Sequence, residues 1–598
     1  MEHKLAALRD GLHPSFPVLF LAMACLNACL RAQGGITSET EAPSVSVFVQ
    51  RELIGPNQTF SAIMNQVTEI SFRAETQAGD PFLDAELNVI FTEPSGVSLR
   101  VPAFWAGGNE WRVRYAPRAA GRHTFRLEIA SGKIRPAHEV AGALQVRPYE
   151  GKNSLLAHGP VHLSQNRRYF AHADGKPFFW LADSWWHGMT SRLTWDGFKT
   201  LVADRRQKGF NVIQLAVAFP CDIAPFDDRG GNEAGHAWED DFKTINPAYW
   251  DLTDKRIVHL IENGIMPNIV GSWGYYINFM GEEKMKKHWR YVVARYGAFP
   301  VTWTICGESR LPWYPNISKG DQGYQQTLKW TEVGRYLRAN NPFGRLIGIH
   351  PGPGLWFNNA PYEALSDYSI VDIYFGMGGH GGGNEYAQVL QCLKTMDKFR
   401  ANNPGKQSII GELVWEGMYG GNCGPFVQRI QFWGAVLRGA PGHCYGTDSL
   451  WQMNTREKPF GPSVTGTIWG NWPWEEAYRW PGSTHVSIGK RILEKYEWWR
   501  FEPHPEWLSL TEEKDGSALV AAAAGIPGEI RVFYFAKKSR QKLLHLEPGK
   551  KYQATFISPI DGREYPREQL LEGDAQGACD APRGPINQDW VLVLKSQQ

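Results

Sequence analysis

The 598-residue sequence predicts an α/β protein, a central (β/α)8 TIM barrel flanked by N-terminal and C-terminal β-sandwich domains. Three observations carry that prediction. Between Pro177 and Trp499, short apolar runs alternate with amphipathic segments. This is the pattern of parallel strands buried on both faces and wrapped by helices. On either side of that stretch the chain alternates apolar and polar residues, in the manner of half-buried strands. Finally, two buried runs, Val301-Thr-Trp-Thr-Ile-Cys-Gly-Glu308 and Gln407-Ser-Ile-Ile-Gly-Glu412, close on the same Gly-Glu dipeptide. A Gly there lets the backbone turn or approach a ligand.

The first sandwich is expected over 44–148. Val45–Val49, Glu69–Phe72, Leu87–Phe91, Trp111–Tyr115 and His123–Ile129 alternate, with Gly and Pro between them and no helical period. This reads as an antiparallel sandwich serving as a lid or support for the body.

The barrel is expected over 154–502. Its strands are Phe178–Ala182, Val212–Ala218, Met266–Val270, Val301–Cys306, Leu346–Ile349, Ile370–Tyr374, Ser408–Ile410 and His443–Tyr445. Helical patterns separate most of them, at Thr194–Lys208, Tyr249–Asn263, Glu283–Tyr296, Tyr324–Asn340, Tyr386–Arg400 and Pro425–Arg438. Thr194 is placed to cap the first, while Lys208-Gly209 and Asn263-Gly264 end two of them with Gly. Residues 505–597 return to alternation at Ala518–Ala522, Glu529–Phe535, Tyr552–Phe556 and Trp590–Leu594, a second and smaller sandwich.

Residues 1–33 read as a signal segment and linker. Lys4 and Arg9 precede the run Phe16–Ala24, which is too short to span a bilayer. Leu26-Asn-Ala-Cys29 then resembles a lipobox with Cys29 as the acylated residue, with Cys25 as a competing site and plain cleavage near Ala32 as the alternative. The expected location is secreted, periplasmic or outer-surface lipoprotein.

Composition excludes several classes. A formal net charge of +2 without a basic tract argues against nucleic acid as a partner. The remaining cysteines, Cys221, Cys306, Cys392, Cys423, Cys444 and Cys579, form no CxxC, so no zinc site is expected. A Cys221–Cys423 bridge is permitted in an exported protein. The Gly-rich stretch 376–383 lacks the setting of a phosphate loop. No metal or cofactor is expected. What the composition favours is carbohydrate, because 21 of the 25 Trp lie between Trp180 and Trp499, some of them in loops.

The chemistry is expected at the C-terminal ends of the strands, where barrels of this kind keep their active sites. Glu308 and Glu412 end the fourth and seventh strands, on opposed walls of one mouth. Two carboxyl groups facing each other are the minimum equipment for cleaving a glycosidic bond. Glu308 is assigned as general acid/base and Glu412 as nucleophile, with Glu416 the rival for the second role. Further strand-end groups are assigned to substrate binding, namely Asp183, Trp185, Trp186 and His187, Asp222, Trp273 and Tyr275, His380, Trp415 and Glu416, and Tyr445 with Trp451.

The stretch Asn166-Arg-Arg-Tyr-Phe-Ala-His-Ala-Asp-Gly-Lys-Pro-Phe-Phe-Trp-Leu-Ala-Asp-Ser-Trp-Trp186 resembles the opening of the apiosidase-like (β/α)8 glycoside hydrolases, glycoside hydrolase family 140 and its relatives. Thr302–Glu308, Gly411–Gly417 and Ala440–Gly446 are similar to further stretches of that family. The N-terminal sandwich resembles the one often found before this barrel. Leu544–Phe556 with Pro559–Gly562 resembles a C-terminal β domain labelled collagen-binding, a label used here only as a name.

The resemblance implies a retaining, exo- or side-chain-cleaving hydrolase of plant or algal polysaccharide, without a cofactor. Many barrels of this type carry Asn-Glu where this chain has Gly307-Glu308, and apiosidases use Asp as the strand-four carboxylate, so apiose itself is not the expected sugar. A non-catalytic carbohydrate-binding or surface adhesion protein on the same scaffold is the alternative. A lyase, which needs a Tyr, Lys or His base, is a third reading.

Overall fold

The computed structural model describes residues 46–239, 241–316, 322–352, 370–377, 385–412, 414–418, 423–470, 472–509, 521–536 and 541–597. The signal segment with Cys25 and Cys29, the linker, and His380 with most of its Gly-rich stretch lie outside these residues.

Eight parallel strands form the central sheet. They are β1 (Trp180–Ser184), β2 (Val212–Ala216), β3 (Met266–Val270), β4 (Thr302–Thr304), β5 (Ile347–Ile349), β6 (Ile373–Met377), β7 (Gln407–Glu412) and β8 (Gly442–Tyr445). Each hydrogen-bonds to its sequence neighbours from β1 to β7, and β8 pairs back onto β1. Among the described residues only the β7–β8 seam lacks a ladder. It is bridged just beyond the strand ends, where Glu416 pairs with Thr447.

Around the sheet run α1 (Trp195–Gln207), α2 (Pro247–Glu262), α3 (Glu282–Tyr296), α4 (Gln322–Ala339), α5 (Glu385–Asn402), α6 (Pro425–Val436) and α7 (Pro481–Glu494). Thr194 caps α1 by accepting from the Gly197 amide at 3.1 Å. Gly209 and Gly264 take the left-handed conformation just past the ends of α1 and α2.

Apart from Asp183 on β1 and Glu412 at the end of β7 the strands are uncharged, yet the interior of the barrel is not wholly apolar. Asn268 on β3 donates to Gln214 on β2 at 3.1 Å and accepts from Thr302 and Thr304 on β4 at 3.2 and 3.0 Å. Gln214 in turn donates to Ser184 on β1 at 3.1 Å. This girdle of mutually satisfied amides and hydroxyls lies beneath the strand ends. It ties four strands together at low cost, because each member shown has a partner.

The N-terminal region, residues 48–147, makes two five-stranded sheets packed face to face. Alternation in the sequence predicts wholly antiparallel pairing, but Phe48–Glu52 runs parallel to Val67–Ala78, and Gln58–Ile63 parallel to Ala141–Arg147. Alternation reports one buried face and says nothing about strand direction. The sandwich buttresses α2 and α3 from the side. Arg114, almost wholly buried, donates to Glu69 at 2.8 Å, to Asp254 on α2 and to the Arg295 carbonyl on α3 at 2.8 Å.

At the other end of the chain the described residues form a six-stranded sheet and a two-stranded ribbon. The sheet docks on α6, where Arg429 grips Asp589 through two bonds of 2.7 and 2.8 Å and Trp433 stacks on Tyr534 at 6.0 Å. All six described cysteines are free, so the permitted Cys221–Cys423 bridge is not formed.

Candidate active site

Glu308 follows β4, and its own backbone makes the turn, with φ of +47°. The sequence assigns that freedom to Gly307. Gly307 instead serves packing, since a Cβ there would come within 2.4 Å of the Trp273 ring. The Trp273 indole therefore lies against the strand end and donates Nε1 to Glu308 Oε2 at 2.8 Å. A side chain in place of Gly307 would displace it. Gly411 has the same function before Glu412, where a Cβ would meet the Phe375 side chain at 2.7 Å. Left-handed backbone at a non-glycine residue is costly and is held only where the surroundings over-determine it.

The two carboxyl groups have unlike neighbours. Glu308 is 6% exposed and accepts on Oε2 from both Trp273 and the Tyr314 hydroxyl. Burial first, and the charge of Glu412 second, push its carboxyl above the usual range against those two bonds. Glu412 is bonded through Oε2 to His350 Nε2 at 3.1 Å.

The other ring nitrogen of His350 faces the Phe375 carbonyl at 2.8 Å, and a carbonyl only accepts, so Nδ1 carries a proton. A hydrogen bond between Nε2 and Glu412 then needs a further proton, held on the ring or on the carboxyl. Burial alone would pull the imidazole down, but the bond to Glu412 and its charge carry it above its ordinary value. The favoured arrangement is an imidazolium beside a carboxylate.

A third carboxyl enters from the loop after β2. Asp222 is half-buried, sits at φ of +62° and is pushed well above its ordinary range by burial, then by Glu308 and Glu412. Trp186 links the two walls, with its ring 5.3 Å from Trp273 and 6.3 Å from His350. The structure thus gathers Glu308, Glu412, Asp222, Trp186 and Trp273 around one site.

Neither His350 nor Tyr314 is among the residues picked from the sequence. His350 stands directly after β5, so the strand-end rule applied to a histidine finds it. For Tyr314, in a Pro-flanked loop, no sequence signal exists.

The remaining assignments part company with the sequence reading. Asp183 is fully buried, with its oxygens taken by the Ser184 amide, the Trp185 indole at 2.9 Å and Arg205 at 2.6 Å, so both Asp183 and Trp185 are structural. His187 is buried on the Cys221 carbonyl at 3.0 Å, and burial pulls it down to about 3, which keeps it neutral. Tyr275 is buried, its hydroxyl given to the Ile223 carbonyl at 2.6 Å.

Glu416 accepts from Tyr445 at 2.5 Å and from the Gly482 amide at 3.0 Å, which caps α7. Glu416 and Tyr445 therefore hold the β8–α7 side of the fold together, and no surface of either is left for a sugar. Trp415 and Trp451 are buried and meet edge-to-face at 5.6 Å, forming one wall above β7 and β8. Among the described residues no cluster suited to a metal ion occurs.

Residues 164–500, more than half of the chain, match the family model described as apiosidase-like, catalytic domain. The chain belongs to the apiosidase-like glycoside hydrolases. Residues 64–130 of this glycoside hydrolase match a domain described as of unknown function, DUF5060.

Among solved structures it is similar to a candidate glycoside hydrolase from Bacteroides vulgatus ATCC 8482, with a TM-score of 0.63 at 18% identity, over 90% of this chain and 100% of that one. It is also similar to a glycoside hydrolase family 5 protein from the same organism, at 0.58 and 20%, over 73% of this chain and 93% of that one. A further glycoside hydrolase gives 0.58 and 22%, over 73% and 97%. At such identities the likeness is one of fold. No curated protein matches the chain. The apiosidase-like match spans every barrel strand, with Glu308 and Glu412 at the mouth of the matched domain.

Proposed function

We propose that the protein cleaves glycosidic bonds of a plant or algal polysaccharide, or of oligosaccharides derived from it, by a retaining mechanism with Glu308 as acid/base and Glu412 as nucleophile. The observation that carries this reading is the contrast between the two carboxyl groups. One is buried and inclined to keep its proton, while the other is paired with an imidazolium that favours the anion. That separation of roles is what paired-carboxylate catalysis requires.

Glu412 attacks the anomeric carbon as the bond to the leaving oxygen breaks, and Glu308 gives its proton to that oxygen. Water then gives a proton to Glu308 and attacks the glycosyl ester, and Glu412 departs as a carboxylate. Asp222, whose carboxyl is held well above its ordinary range by burial and then by Glu308 and Glu412, is suited to donate to a sugar hydroxyl. We further propose export, by lipid attachment at Cys29 or by plain secretion, on the strength of the N-terminal segment.

The test is hydrolysis of a panel of pectic, hemicellulosic and algal glycans by the wild type, Glu308→Gln and Glu412→Gln. Wild type should release sugar and both variants should fail. Equal release by all three would refute the assignment, and an inert wild type that still binds glycan would favour a binding scaffold. Fractionation of cells producing the full chain and its Cys29→Ser variant tests the anchor, which predicts movement of the variant out of the membrane fraction.

A further inference from the structure

An aromatic strip begins at Glu308 and runs outward over the loops that follow β3 and β4. Its inner end is Tyr314, whose hydroxyl donates to Glu308 Oε2. Next comes Trp313, its ring within 12° of parallel to Tyr314 and 6.4 Å away. Both rest at steep angles on Tyr275, at 5.2 and 4.9 Å. Tyr275 is wholly buried and tied by its hydroxyl to the Ile223 carbonyl, so it is a rigid pedestal. Phe279 then meets Trp313 edge-on at 5.5 Å.

Exposure rises along the strip. Tyr314 and Trp313 are half-buried, and Phe279 is 44% exposed. Segments 273–280 and 311–316, which carry all four rings, contain no charged residue. Such a surface offers ring faces and little else, and braced rings lose little entropy when a ligand docks.

The direction of the strip gives it a meaning. In the reaction proposed above, Glu308 hands its proton to the oxygen of the departing group. Two donors already occupy Glu308 Oε2, which leaves Oε1 to hold that proton. Whatever departs therefore lies on the Glu308 side of the scissile bond, where the strip starts.

We infer that Tyr314, Trp313 and Phe279 form the platform for the leaving group, and that this group is itself a sugar chain, bound by its apolar ring faces and not by charge. The inference rests on the two-carboxylate reading and adds to it which side of the bond the enzyme grips. It makes the enzyme one that removes a residue from a glycan, as opposed to one that releases small aglycones.

The test compares two substrates of the same sugar, namely the glycan that wild type cleaves and the corresponding glycosyl fluoride, whose leaving group has no ring to stack. The ratio of kcat/KM on glycan to kcat/KM on fluoride should fall at least tenfold in Trp313→Ala and at least threefold in Phe279→Ala. Phe279 is a surface residue, so its variant answers the question even if Trp313→Ala folds poorly, and thermal melts of both check folding. An unchanged ratio, with both substrates still turned over, overturns the platform and leaves the carboxylate pair standing. A wild type inert on glycan and on fluoride overturns both.

Discussion

Two strand ends of this protein share a dipeptide and differ in the partners of its carboxyl group. At the end of β4, Glu308 stands in a left-handed turn, receives hydrogen bonds from an indole and a phenol, and has no cation bonded to it among the described residues. At the end of β7, Glu412 continues its strand and is held by a histidine. A hydrogen bond from a neutral donor moderates the cost of a buried carboxylate, whereas an imidazolium abolishes much of it. The role of each acid is therefore set by residues from other strands. Glu416, four positions beyond Glu412, sharpens the lesson, because its carboxyl turns away to the end of α7 and to Tyr445.

The largest effect should come from setting Glu412 against Glu416. Glu412→Gln is expected to fall to background on any glycan that wild type cleaves, while Glu416→Gln keeps most of its activity and loses stability. Removing a buried acceptor shared by two donors costs about 1–3 kcal/mol, visible as a lower melting temperature. Comparable activity loss in both variants would break the distinction.

Next comes the imidazolium. His350→Ala should reduce kcat by about 10²-fold, the scale of one preorganised electrostatic contact. It should also move the acidic limb of the rate profile to higher pH, because a carboxylate that has lost its cation holds its proton more tightly. A fall in kcat with an unmoved limb would mean that His350 only packs.

A smaller change is expected at Glu308. Tyr314→Phe removes a donor that favours the anion, so the carboxyl stays protonated to higher pH and the alkaline limb of kcat/KM moves up. A downward shift would contradict the geometry.

The smallest effect is on stability. The folded pKa of Glu308 is raised, so the native state loses stability as pH climbs from the unfolded value, about 4.3, through the folded one. Glu308→Gln should therefore melt higher than wild type at pH 8, with the advantage gone by pH 4.

Much of this was legible along the chain. Short apolar runs, separated by amphipathic ones, leave few options other than parallel strands within a shell of helices, and the strand-end rule then brings up Glu308 and Glu412. The same rule misleads at β1. Asp183 looks as available as Glu308, but Arg205 reaches back from α1 and closes it off. Trp185, His187, Tyr275 and Tyr445 were misread for a related reason, because a polar or aromatic residue at a strand end looks alike whether it faces the cavity or the shell.

By itself, then, the order of residues determined the barrel, its flanking β regions and which strands end in acid, because burial on both faces imposes a composition that can be read locally. It did not determine which carboxyl group keeps its proton, or that Gly307 makes room for an indole instead of bending the chain. Those outcomes depend on His350, Trp273 and Tyr314. Glu308 and Glu412 meet them only when the closing sheet brings distant strand ends within hydrogen-bond reach, and a hydrogen bond or a charge acts through space, not along the chain.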